Sequence, residues 1–221
     1  TVVVEANRPI IGMTNALGPN KEAFNIYEAA QPGSELFFSK VFDGREMEDG
    51  RMLEWVNLLQ IQNTEDVPVN VTIVVNHPDG TLAGQHTNEA IPAHGKFEIR
   101  PSEITGVTPT SGTITVTAKG GMVAGMMKYM YGTGLETESY TIYEANELRS
   151  TAYFPKLYDG FDGNRNYISV LNKNSDDVTV TVDLYDADGT LAHQEVVTLG
   201  ENEKLDTTPC WLMCGSLDCS Y

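Results

Sequence analysis

Basic residues are scarce in this chain: 14 Lys and Arg stand against 31 Asp and Glu, a formal charge of −17 at pH 7. Nucleic acid and anionic membrane surfaces both select a basic face, so neither is an expected partner. The same excess of acid favours solubility and suits divalent cations or a saline exterior. Long hydrophobic runs are missing too, and no apolar stretch reaches the ~20 residues a helix needs to cross a bilayer. No membrane insertion is therefore expected. No charged-then-apolar leader opens the sequence, so we expect no signal peptide in this chain, whether removed or never made. Sustained 3.6-residue periodicity is absent, which argues against a helical fold.

Cysteine is confined to Cys210, Cys214 and Cys219. That spacing has no fourth ligand nearby and no His after it, so a zinc site is the weaker reading. One disulfide among the three, with a thiol left over, fits an exported protein better. Catalytic signatures are lacking as well. There is no G-x-S-x-G, no P-loop, no dinucleotide fingerprint and no H-E-x-x-H. His77, His86, His94 and His193 have no metal-ligand spacing and read as surface histidines. We expect no catalytic residue, no metal, no cofactor and no enzymatic activity. Asp186-Ala187-Asp188-Gly189 shares letters with a calcium loop, but the full pattern with its distant Glu is missing, so it reads as a hairpin turn. Asn70-Val71-Thr72 fits the N-glycosylation pattern and makes Asn70 a candidate modification site. Trp55 and Trp211 read as packing residues.

What is present is a repeat. Asp79-Gly80-Thr81-Leu82-Ala83 recurs letter for letter as Asp188-Gly189-Thr190-Leu191-Ala192. Phe38 to Gly44 is echoed by Phe154 to Gly160, and Asn63 to Val67 by Asn174 to Val178. Ile26-Tyr27-Glu28-Ala29 is echoed by Ile142-Tyr143-Glu144-Ala145, at the same offset as Phe38 and Phe154 (142 − 26 = 116). Thr1 to Ala6 resembles Thr113 to Ala118, and Gly12-Met13 resembles Gly125-Met126. Self-similarity at a fixed spacing marks a repeated structural unit.

Within the units the signal is β. Val67, Val69, Val71, Ile73 and Val75 fall on every second position, as do Val178, Val180, Val182 and Leu184. Period two means one buried and one wet face. Pro68 cannot donate to a ladder and marks a strand start or edge. Pro78-Asp79-Gly80 and Ala187-Asp188-Gly189 spell hairpin turns. Further strands are expected over 36–42, 53–62, 97–99, 113–118, 122–131 and 139–144. The methionine-rich stretch Met122 to Met130 could be helical, but Gly120, Gly121 and Gly125 favour a strand. The fold expected is all-β, built from immunoglobulin-like antiparallel β-sandwich modules. A hydrophobic content of 41% supports a packed core.

The order of the repeats predicts a broken module. Residues 36–145 spell a complete sandwich. Residues 151–221 spell the front of a second one, with a Cys-bearing tail in place of the Pro101–Gly112 segment. Residues 1–30 spell the back of one, with about three strands at 1–6, 9–16 and 23–28. Neither half can cover its own apolar face, and a bare strand edge invites pairing. If similar linkers give similar geometry, the halves lie on opposite sides of the centre and meet between chains. The residues expected at such a junction are Val2, Val4, Ile10 and Ile26 on one side and Val178, Val180, Val182 and Leu184 on the other. A head-to-tail contact that does not close generates a filament of identical subunits.

The Asn-Thr-Glu-Asp-Val, Val-x-Val-x-Ile and Asp-Gly-Thr-Leu-Ala elements, seen twice, resemble the tandem β-sandwich repeats of bacterial and archaeal surface proteins. The split arrangement also resembles pilins that polymerise by strand donation, with three strands given in place of one. These resemblances imply an extracellular or cell-surface location and a structural or adhesive role. The alternatives are a piece of a tandem-repeat adhesin or stalk, and a carbohydrate- or Ca²⁺-binding module.

Overall fold

The structure, a computed structural model, describes residues 13–17, 24–28, 31–44, 55–108, 110–131, 138–141, 150–152, 168–186, 188–209 and 212. They belong to two compact units, one drawn from residues 1–76 and 82–147, the other from residues 77–81 and 148–221.

β-Branched residues at alternate positions suit a pleated strand with one buried face. Accordingly β5 (Val69–Asn76) buries Val69, Val71, Ile73 and Val75 at 0–1% exposure. Val67, expected on the same face, is instead 55% exposed. It precedes Pro68, which has no N–H to give, so the strand starts only at Val69. The turn after β5 closes when His77 N donates to Thr81 O at 2.8 Å and Thr81 N donates to Asp79 Oδ1 at 3.0 Å. Gly80 supplies the positive φ of 84° that this turn requires.

The turn leads into β6 (Leu82–Ile91), which pairs with one edge of β5. The other edge takes β8 (Thr110–Lys119), and β3 (Glu35–Asp43) lies beyond it, giving the order β3-β8-β5-β6. A second sheet runs β10-β9-β4-β7, from β10 (Glu138–Thr141), β9 (Val123–Tyr131), β4 (Trp55–Asn63) and β7 (Lys96–Ile99). Every pairing is antiparallel, and the methionine-rich stretch is a strand, as its glycines suggest. Phe38, Ile73 and Ile114 from one sheet and Leu59, Ile61 and Met127 from the other share one apolar cluster. Full burial of such side chains stabilises by about 1.5–3 kcal/mol each.

Near the N-terminus, β1 (Met13–Leu17) and β2 (Phe24–Glu28) form a hairpin, and β2 lies beside β10. The strand expected at 1–6 and the first half of the one expected at 9–16 fall outside the described residues, and the second half of the latter lies in β1.

The second unit has β11 (Ile168–Leu171), β12 (Val178–Tyr185), β13 (Leu191–Leu199) and β14 (Lys204–Thr207). They pair as β11–β14 and β12–β13, both antiparallel.

A short helix, α1 (Pro101–Thr105), follows β7 and was not expected. Pro101 suits the first helical position, where its missing N–H has no intrahelical partner, and Gly106 closes the helix at φ 68°. Pro209 and Leu212 of the second unit are helical as well, and Leu212 N donates to Thr208 O at 3.0 Å. The tail therefore does not simply replace the Pro101–Gly112 segment; it starts with that segment's own helical turn.

Candidate assembly surface

The repeat can be read atom by atom at one buried asparagine. Asn63 ends β4, and its Nδ2 donates to Val67 O, Ile91 O and Pro92 O at 2.7–3.0 Å. Its Oδ1 accepts from Glu65 N at 2.8 Å. Asn172, just past β11, donates to Asp176 O, Leu199 O and Gly200 O at 2.9–3.0 Å and accepts from Asn174 N at 2.8 Å. The counterpart of Asn63 is thus Asn172, not Asn174 as the letters suggested. This places β5 and β12 and their hairpin turns at one offset (172 − 63 = 188 − 79 = 109), and β7 and β14 one residue closer (204 − 96 = 108). Each asparagine sits at 4% exposure or less and ties the end of one strand to a turn and to the last carbonyls of β6 or β13. The turns match too: Asp186 N donates to Thr190 O and Thr190 N to Asp188 Oδ1, both at 2.9 Å.

On this frame β12 is the counterpart of β5. Val178, Val180, Val182 and Leu184 share one face, as predicted, and β13 pairs with one edge, with Val182 opposite Glu195 and Leu184 opposite His193. The faces differ in cover. Val178, Val180 and Val182 are only half-buried and Leu184 is 9% exposed, where the four residues of β5 are sealed. The cause lies in the neighbours. The edge of β5 that pairs with β8 corresponds to an edge of β12 that pairs with no strand among the described residues. The arrangement offers an apolar stripe beside a strand edge with no strand partner among the described residues, which is what an added strand needs.

Of the other residues singled out, Ile26 lies in β2, opposite Asn15. Val2, Val4, Ile10, Cys210, Cys214, Cys219 and Trp211 fall outside the described residues. Asn70 is exposed on the outer face of β5, between Ala90 and Lys119. His86 Nε2 lies 3.2 Å from Glu89 Oε2, with its ring stacked on Phe97, and His94 Nε2 lies 2.9 Å from Asp66 Oδ1. Among the described residues no group of three or more His, Cys, Asp and Glu could hold a metal, and no helix is long and apolar enough to cross a membrane.

One cluster escaped the sequence reading, which ended the strand over 36–42 before Asp43. Asp43 instead ends β3 at 0% exposure. It accepts from Arg100 Nη2 at 2.8 Å, from Ser102 N at 3.0 Å and, at Oδ1, from Asn57 N at 3.0 Å. Asn57 Oδ1 in turn accepts from Phe42 N at 2.6 Å. Burial is the largest single influence on Asp43 and raises its pKa, but the hydrogen bonds from Arg100, Ser102 and Asn57 together outweigh it and hold the carboxyl below its ordinary value. The available signal was Arg100-Pro101-Ser102, a base set against a helix start. In the second unit Thr208 stands where Arg100 would be, immediately before the helical Pro209.

No protein-family model, curated protein or solved structure matches the chain.

Proposed function

We propose that this chain is a non-catalytic structural subunit of an extracellular filament, built from β-sandwich modules and extended head to tail by sheet completion. Residues 36–145 form the complete module, and residues 151–221 form the front of a second. Residues 1–30 of the next subunit provide its back, with Val2, Val4, Ile10 and Ile26 at the junction. The observation that carries this reading is the half-covered face of β12 beside an edge without a strand partner among the described residues. Closing it would bring Val178, Val180 and Val182 to the burial of their β5 counterparts, worth of order 1 kcal/mol per side chain. The acid-rich composition suits an exposed, soluble surface on the finished polymer.

Sedimentation velocity across a concentration series, with negative-stain microscopy, tests the reading. The expected result is mass that grows with concentration and fibres on the grid. Val180→Asp, which sets a carboxylate on the open face, should stop growth while the far-ultraviolet strand signal stays. Compact monomers at every concentration would overturn the proposal.

A second reading has its own support. The Asn63 and Asn172 networks repeat partner for partner, as in tandem surface stalks, where residues of a longer chain would complete β12 in cis. A gene carrying further copies of the module on either side would establish it.

A further inference from the structure

In the first unit the place beside β5 is held by β8, and its register is fixed. Ile114 lies opposite Val75, Val116 opposite Ile73 and Ala118 opposite Val71. Those three β8 residues are 0–8% exposed, while Ser111 and Thr117 face outward. The inner residues seal the β5 face; of the alternate ones Ser111 and Thr117 meet water, Thr115 is half-buried and Thr113 is buried.

One other stretch of the chain carries the same series. Thr113-Ile114-Thr115-Val116-Thr117-Ala118 is matched by Thr1-Val2-Val3-Val4-Glu5-Ala6: threonine, an aliphatic, valine at the fourth place and alanine at the sixth. Building on the proposed assembly, we infer that the occupant of the open β12 edge is residues 1–6 of a second copy, antiparallel and in the β8 register. Carrying the β5–β8 pairs across the repeat sets Val2 opposite Leu184, Val4 opposite Val182 and Ala6 opposite Val180. The outward positions then hold Val3 opposite Asp183 and Glu5 opposite Thr181.

Charge selects this register over its neighbours. A one-residue slip turns every side chain to the other face. Val2, Val4 and Ala6 would point to water, and Glu5 would point into an apolar layer, where an unpaired carboxylate is costly. In the inferred register Glu5 stays outside beside Thr181, itself exposed. The threonines of β8 tolerate either face better, so Glu5 makes the donated segment more selective than the strand it stands for.

Directed disulfide formation tests the pairing. Cys210, Cys214 and Cys219 are first replaced by Ser. Full-length chains carrying Val4→Cys are then mixed with chains carrying Val182→Cys under copper–phenanthroline oxidation. Residues directly opposite on one face are within disulfide reach, whereas adjacent positions point apart, so cross-linked heterodimer should form at least ~10-fold faster than with Val3→Cys in place of Val4→Cys. Val2→Cys with Leu184→Cys is the second in-register pair and guards against a local folding defect. Equal rates for the Val3 and Val4 chains, or a faster Val3 reaction, would overturn the register. Polymers that grow without either in-register cross-link would overturn this inference and leave head-to-tail assembly standing. A monomeric cross-link within one chain carrying both Val4→Cys and Val182→Cys would show that the segment serves its own chain, against a second copy. Chains that stay monomeric and uncross-linked would overturn assembly and inference together.

Discussion

β5 and β12 are the same strand by letter and by local pairing, yet one is sealed and the other half bare. Val69 and Val71 become Val178 and Val180, the following hairpin turn is the same to the hydrogen bond, and the buried asparagine before each strand holds equivalent carbonyls. What changes is the layer on top. β5 lies beside β8 and shares an apolar cluster with Leu59, Ile61 and Met127 of the other sheet, while β12 has β13 alone at its edges among the described residues. Alternation therefore decides which way a side chain points, and the hairpin decides its register. Burial is supplied by strands far away in sequence. A strand patterned for two covered edges but paired on one is an unfinished core, and that contrast yields testable differences.

The largest expected difference concerns the Asp43–Arg100 ion pair of the first unit. Arg100→Thr installs the residue of the second repeat and leaves the Asp43 carboxylate buried against Ser102 and Asn57 without its cation. Removing one partner of a buried pair costs about 3–5 kcal/mol, to be read as a lower denaturant midpoint for the first unit. Acid should erase part of the contrast. Because Asp43 titrates below its ordinary value in the folded state, the stability it contributes is fully present above its unfolded pKa and is lost as pH falls through the lowered folded one. Unfolding followed from neutral pH down through that window should show the loss in the wild type and a flatter profile in Asp43→Asn. A wild-type profile as flat as the variant's would mean the pair is not held as described.

Next comes the same substitution on both faces. Val71→Ala removes two methyl groups from a sealed site and should cost about 2–3 kcal/mol, transfer and cavity together. Val180→Ala, at the equivalent place in β12, should cost under ~1 kcal/mol in the isolated subunit because the side chain is half in water already. The comparison sharpens under assembly conditions, where a completed sheet would bring the second cost up towards the first. Equal costs in the monomer, from midpoints of the two unfolding transitions, would break the comparison.

Part of this was legible in the letters. Period two over β5 and β12, Pro68 before its strand and the Asp-Gly turns each rest on local chemistry that a single segment carries. The register of the repeat was misread at Asn172 because Asn174 offers the same letter two residues on. Only distant carbonyls, on Leu199 and Gly200, say which asparagine is enclosed. β6 went unnamed because Gly84, Gln85, His86 and Thr87 give no apolar alternation; pairing with β5 makes it a strand. The Asp43–Arg100 pair spans 57 residues, and Arg100-Pro101-Ser102 marks one end of it without naming the other. That β13 is the one strand paired with β12 among the described residues was not legible in β12 itself, since alternation reports no neighbour.

The smallest predicted difference turns on one glycine. Gly84 lies opposite Val75, and a Cβ placed on it would meet Ile104 O at 2.8 Å and Thr105 Cα at 2.9 Å. Both atoms belong to the backbone of α1, so neither can swing aside as a side chain would. In the second unit the same position, opposite Leu184, is His193, which is half-buried. A backbone could not approach that position of β13 as closely as α1 approaches Gly84 of β6 without meeting the imidazole. Gly84→His should therefore push α1 off its seat and cost about 1–3 kcal/mol by overpacking, with α1 amides losing protection from hydrogen exchange. His193→Gly, the reverse change, removes a half-buried side chain and should cost only the ~0.5–1 kcal/mol of a glycine in a strand. If Gly84→His were silent, the first unit would have slack at this edge. The two repeats would then differ only in the cover over β5 and β12, not in how the following helix is received.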